Sequence, residues 1–300
     1  MLDISIPASA LIAGWVAGPL YGINVTLFAL CLITFQKRGL KHNNRILLVA
    51  SIIQILLCTA HVVALLVQIF RGFVVLANNP QRSFLYIIDQ STPEHVTQEL
   101  VYFTNSLICD GILIWRCYIV WNRSLRLCIP LGAMFTGTAI CSYAAIGNLA
   151  QLRSDDPVFV SHLGDWLLAM WSLSIAVQVS ATLLIAWKIW RTVSWRGMGA
   201  RRNQLSVFWI IIESGALYSF STILVLAFYS AKANCGAILG SILGQLSATV
   251  PYLILVRVEL NARSSQDIIP IMGRGNHDIN AHGSSGSQGS NAYWNLRLQR

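Results

Sequence analysis

Residues 100–121 read LVYFTNSLICDGILIWRCYIVW. These residues, Leu100 to Trp121, are almost wholly apolar, and their length matches one helical crossing of a hydrocarbon layer about 30 Å thick. Two charges sit inside the run, Asp110 and Arg116. Charged groups are expensive in hydrocarbon, so both are expected to face protein or water rather than lipid. Asp110 stands midway along the run, ~15 Å from either membrane face at 1.5 Å of rise per residue.

Outward from this stretch the pattern repeats. The chain has 300 residues, 55% hydrophobic and only 11% charged, whereas a soluble domain carries about 25% charged residues. Further apolar runs cover Ala10–Phe35, Ile46–Phe70, Leu127–Leu149, Leu163–Trp190, Val207–Tyr229 and Cys235–Val256. With Leu100–Trp121 as the third, the expected fold is an all-α polytopic membrane protein of seven transmembrane helices. Its organisation is a short N-terminus at 1–9, a bundle at 10–256 and a tail at 257–300. The tail contains GSSGSQGSN, too polar to bury a core and expected to be largely disordered.

The net charge of +9 does not point to nucleic acid, because the basic residues lie in short loops between apolar runs. The bilayer is the expected partner. Seventeen lysines and arginines fall on one side of the seven-span scheme and four on the other. That asymmetry puts the N-terminus outside and the C-terminus in the cytosol. Trp121, Trp187, Trp190 and Trp195 then mark the inner helix ends as an interfacial belt. The segment before the first span has Asp3 and no basic residue, so that span is expected to be an uncleaved anchor. The seven cysteines show no CxxC or Cys/His spacing and read mostly as small buried apolar residues.

Gly14, Gly18 and Gly22 share one face of span one, and Gly236, Gly240 and Gly244, continued by Ala248, share one face of span seven. Such spacing lets helix backbones approach closely, within one bundle or across a homodimer seam. At mid-depth the polar residues are Asn24, His61, Asn105, Asp110, Gln178 and Gln245. They are candidates for a ligand-binding polar core around Asp110, the alternative being separate interhelical hydrogen bonds. No second membrane histidine accompanies His61, so no metal site is expected. No cofactor is expected either, and no acid, base and nucleophile set suggests an enzyme.

Arg116 and Glu213 lie at comparable depths on spans three and six. A pair between them is the candidate conformational switch, since each charge is costly when unpaired. The alternative is independent snorkelling of Arg116 and a structural role for Glu213.

The layout of seven spans, a short second inner loop and a basic third one is similar to that of a G-protein-coupled receptor. The motifs differ. After span three stands Trp115-Arg116-Cys117-Tyr118, and span seven carries Val250-Pro251-Tyr252. More specifically, IWRCYIVWNRS (Ile114 to Ser124), ESGALYSFSTIL (Glu213 to Leu224) and VPYLILVRVEL (Val250 to Leu260) resemble an uncharacterised seven-helix integral membrane protein family of basidiomycete fungi. The resemblance implies the fold and a fungal origin and brings no activity with it. The function expected is a receptor-like protein in the plasma membrane, coupling an unknown extracellular ligand to a cytosolic G-protein-like partner. The alternatives are a transporter or channel using Asp110 and the mid-membrane polar residues, and a structural or scaffold membrane protein.

Overall fold

The computed structural model describes residues 5–38, 42–151, 162–194, 198–233 and 235–275. It is all-helical among them. The elements are α1 (Ile6–Arg38), α2 (His42–Phe70), a π-helical turn (Arg71–Val75), α3 (Pro80–Ile88), α4 (Pro93–Val120), α5 (Leu125–Ala150), α6 (His162–Ser194), α7 (Met198–Ser230) and α8 (Cys235–Gly275). Among the described residues seven stretches are long and apolar enough to cross a membrane: one each in α1, in α2 with its π-helical turn, in α3 and α4 together, and in α5, α6, α7 and α8. Helices are forced here, because a chain in lipid has no water to satisfy its peptide groups and must bond them within each segment.

The helix ends follow local chemistry. Pro93 opens α4 after Thr92, at a position where a missing N–H is harmless. The turn from α4 to α5 is tight, and Asn122 and Arg123 take positive φ (53° and 61°) to make it. Asparagine tolerates that conformation and arginine does so at some strain. The turn makes α4 and α5 antiparallel neighbours, as the short loop in the sequence predicts. Between the second and third spans, α2 ends in the π-helical turn, on which α3 lies. Asn79 caps α3 by accepting from the Arg82 N–H at 3.3 Å, and Ser83 Oγ donates to the Gly72 carbonyl at 2.6 Å. Arg71 forms an ion pair with Glu94 across this end of the bundle.

Much of the surface is apolar, with Trp15, Leu56, Leu183 and Phe220 all exposed. In a membrane protein this is the lipid-facing surface. The interior is mixed. One apolar cluster gathers Tyr102, Phe103, Met170, Trp171, Tyr218, Val225 and Leu243 from α4, α6, α7 and α8. A second joins Cys31, Phe35, Cys58, Tyr252 and Val256 from α1, α2 and α8. α4 contributes to the first of these, and its polar bonds reach α2, α6, α7 and α8. The stretch that decides the fold is thus also its hub.

Two differences from the sequence reading concern α8 and the glycines. α8 runs as helix past Val256, where the bundle was expected to end, to Gly275. The chain divides into a unit Met1–Asn261 and a unit Ala262–Arg300, and the described part of the second unit is helical. The serine-rich end of the tail and Trp195 lie outside the described residues. Of the six glycines, a methyl group on Gly14 would strike the Ile69 side chain, and one on Gly244 would meet His61 Nε2 at 3.0 Å. Both neighbours belong to α2. Gly18, Gly22 and Gly240 have open space beside them. Each glycine series therefore makes its close approach at one position rather than along a face.

Candidate functional site

The mid-depth polar residues do not converge on one cavity. They separate into two networks, and no side-chain hydrogen bond joins the two among the described residues. The larger network ties α1, α2, α4 and α8. Asn24 donates to the carbonyl and to Oε1 of Gln245 at 3.0 and 3.1 Å, and accepts from Thr249 Oγ1 at 2.6 Å. Gln245 Nε2 lies 3.2 Å from His61 Nδ1. Asn105 donates to Ser247 Oγ at 2.7 Å, to the Gly244 carbonyl at 3.1 Å and to Cys58 Sγ at 3.5 Å.

One further bond explains why a proline is tolerated in the middle of α8. Pro251 has no N–H, so the carbonyl four residues earlier, that of Ser247, has no helical donor. Gln54 Nε2 of α2 donates to that carbonyl at 3.2 Å. The freed backbone group is satisfied from the neighbouring helix, as lipid burial requires. Tyr252 then donates to the Ser51 carbonyl at 2.8 Å and fastens the next turn.

The smaller network joins α4 to α6. Ser174 Oγ donates to Asp110 Oδ2 at 2.7 Å, and Gln178 Nε2 donates to Asp110 Oδ1 at 3.2 Å and to Ser174 Oγ at 2.8 Å. Asp110, Ser174 and Gln178 are all buried. Ser174 was not singled out by the sequence reading. It stands four residues before Gln178, on the same helix face, and that spacing was the available signal. Gln54, Cys58 and His61 on α2, and Gln245 and Thr249 on α8, follow the same rule.

On its other side Asp110 lines a cavity of about 20 Å³, the room of about one water. α4 contributes Cys109, Asp110, Leu113 and Arg116, α7 contributes Ile211, Gly215 and Tyr218, and α8 contributes Val250, Pro251 and Ile254. Arg116 faces this cavity and has no ion-pair partner among the described residues.

The expected pair between Arg116 and Glu213 is not formed. Glu213 accepts instead from Arg257 Nη1 of α8 at 2.7 Å; the Glu213 side chain is largely exposed and that of Arg257 partly so. The depths of Arg116 and Glu213 are indeed comparable, but their azimuths differ: Arg116 turns into the cavity, while Glu213 lies on the outer side of α7. Depth along a helix is read from residue spacing; the direction a side chain takes depends on the neighbours the helix acquires.

α7 itself is fastened differently from the helices of the two networks. Between Ile210 and Phe228, two side-chain hydrogen bonds leave it among the described residues. One joins Tyr218 to Ser106 of α4 at 2.8 Å, and the other is the exposed pair of Glu213 with Arg257. Close packing against α6 adds to these, since a methyl group on Gly215 would meet Thr182 Oγ1 at 2.8 Å.

At the end where α4 closes, Trp121 Nε1 donates to the Leu184 carbonyl at 3.1 Å, and Lys188 sits over the Trp121 ring at 5.0 Å. Trp187 and Trp190 are exposed there, as interfacial tryptophans are. No group of three or more His, Cys, Asp or Glu residues arranged to hold a metal ion occurs among the described residues.

The fold and these sites define the class: a multi-pass, all-helical integral membrane protein. No protein-family model, no curated protein and no solved structure matches the chain.

Proposed function

We propose that this protein is a receptor-like signalling protein of the plasma membrane, with its N-terminus outside, without enzymatic activity, that couples an extracellular ligand to a cytosolic G-protein-like partner by displacement of α7. The observation that carries the reading is the uneven fastening of the helices. Buried amide and hydroxyl networks bind α1, α2, α4 and α8 into one frame and tie α6 to α4. Between Ile210 and Phe228, α7 is held through side-chain hydrogen bonds by the Ser106–Tyr218 bond and an exposed ion pair, with the Tyr229 ring packed on Trp171 beyond that stretch. A conformational change needs an element with two arrangements of similar energy, and a lightly bonded helix beside a rigid frame provides one. An exposed ion pair is worth at most about 1 kcal/mol.

Arg116 supports the same reading. It lines the cavity beside α7 and has no acidic partner among the described residues, so outward displacement of α7 presents a cation to a partner on that side. The basic excess of the same side favours an acidic or membrane-bound cytosolic partner. A continuous polar route, which a transporter needs, would have to join the two networks, and no side-chain hydrogen bond does so among the described residues.

The test is basal nucleotide exchange on a reconstituted heterotrimeric G protein, with the receptor in nanodiscs. Tyr218→Phe and Glu213→Ala each release one fastening of α7 and should raise exchange severalfold. Arg116→Ala should return exchange to that of empty nanodiscs. Exchange equal to empty nanodiscs for wild type and all three folded variants would overturn the coupling to a G protein.

A further inference from the structure

We infer that the basic end of α6 holds the headgroup of one multiply phosphorylated phospholipid, and that Trp187 and the residues before it on the same helix face receive an acyl chain of that lipid. Such a site operates whether or not α7 moves and whether or not a G protein couples.

Along α6, Val179, Leu183, Trp187 and Arg191 recur at four-residue spacing and so share one helix face. All four are exposed. From Val179 to Arg191 the helix rises ~18 Å, close to the ~15 Å depth of one hydrocarbon leaflet. The face is therefore apolar through the depth of a leaflet and positively charged at its end. Trp190 is exposed beside it, as tryptophans are at a membrane interface.

Arg191 is not the only cation at that end. Lys188 sits over the Trp121 ring at 5.0 Å. Trp121 is itself fixed, by its Nε1 bond to the Leu184 carbonyl and by the Trp187 ring, which meets it edge-on at 6.3 Å between centroids. A ring face attracts an ammonium group without neutralising it. The tight turn after Trp121 adds Arg123, exposed and held at positive φ. No carboxylate pairs with Lys188, Arg191 or Arg123 among the described residues. Several unpaired cations fit a headgroup carrying several phosphate charges better than one carrying a single charge. The apolar face decides between a lipid and a soluble phosphate ester, because only a lipid has chains to cover Leu183 and Trp187.

The competing account is diffuse attraction of the basic end to any negative surface, which needs no site, and the experiment separates the two. The purified protein in mild detergent would be titrated with phosphatidylinositol bisphosphate, or with phosphatidylserine at equal total lipid charge. Bound lipid would be counted by native mass spectrometry. Wild type should retain one bisphosphate lipid at a lower concentration than it retains phosphatidylserine. Lys188→Gln, Arg191→Gln and Arg123→Asn should each weaken retention roughly fivefold, the factor that one basic residue carries beside a charged lipid surface. Arg191 is exposed, and asparagine suits the positive φ of position 123, so these two guard against a misfolded Lys188 variant. Arg82→Gln, at an exposed arginine of α3, should leave retention unchanged. Soluble inositol trisphosphate, which lacks the chains, should compete at least about tenfold more weakly than the lipid. Equal retention of the two lipids at equal charge would overturn the site. So would unchanged retention in all three variants, or a loss in Arg82→Gln equal to theirs. Competition by inositol trisphosphate as strong as that of the lipid would overturn the acyl-chain face.

Discussion

Gly244 and Gly18 show how much one residue's surroundings matter. Both belong to a four-residue glycine series, and the sequence makes them equivalent. In the structure a methyl group on Gly244 presses on the His61 ring, whereas one on Gly18 meets nothing within 4 Å. His61 is buried and tied to Gln245, so it has little freedom to retreat. Gly244→Ala should destabilise the protein by about 1–3 kcal/mol through overpacking. Gly18→Ala should stay within about 0.5 kcal/mol of wild type. Chemical unfolding in mild detergent checks both, and equal effects at the two positions would contradict the packing described. The same limit applies to the polar residues. Asn24, His61, Asn105, Asp110, Gln178 and Gln245 all stand out in the sequence, because polar groups are rare in apolar runs. Their division into two networks does not, because it depends on which helices become neighbours. Ser174, Ser247 and Thr249 were passed over because hydroxyls are common in membrane helices and bond readily to their own backbone, as Thr222 does to the Tyr218 carbonyl.

At the scale of the element, α8 is the instructive helix. Pro251 was readable as a point of weakness from its position alone. Its remedy, Gln54 on α2, was not, since nothing in spacing links Gln54 to Ser247, 193 residues away. If Gln54 is present to serve the carbonyl that Pro251 frees, the two residues are energetically coupled. Gln54→Leu should destabilise wild type by about 1 kcal/mol or more, because it leaves a buried carbonyl unpaired. In a Pro251→Ala background the new N–H takes the Ser247 carbonyl, and the same substitution should lose most of its effect. A double-mutant cycle measures this directly, and a coupling near zero would contradict the assignment. Gly215 raises the corresponding question for α7. Its approach to Thr182 is so close that Gly215→Ala must move one helix or the other. The expected outcome is lowered stability together with greater access of water-soluble thiol reagents to Cys109, which lines the cavity beside α7. Unchanged labelling at unchanged stability would show that the contact is slack.

At the scale of the whole molecule, the number and order of the spans followed from apolar length alone, because lipid leaves a chain no alternative to complete helices. The internal bonding was less legible. The expected latch joined Arg116 to Glu213, whereas the structure joins Glu213 to Arg257 and leaves Arg116 facing a cavity. The correction changes the mechanism proposed: between Ile210 and Phe228, α7 is bonded to α8 through the exposed Glu213–Arg257 pair and to α4 through Tyr218, and Arg116 lines the cavity beside it. The most direct test of this account is the distance between spin labels on α7 at Trp209 and on α5 at Ile129, measured by pulsed electron resonance in nanodiscs. Both positions are exposed in the bundle. The account expects one narrow distance in wild type and, in the Tyr218→Phe, Glu213→Ala double variant, a second population longer by several ångström. Identical distributions in wild type and the folded double variant would contradict the claim that α7 is the helix that moves.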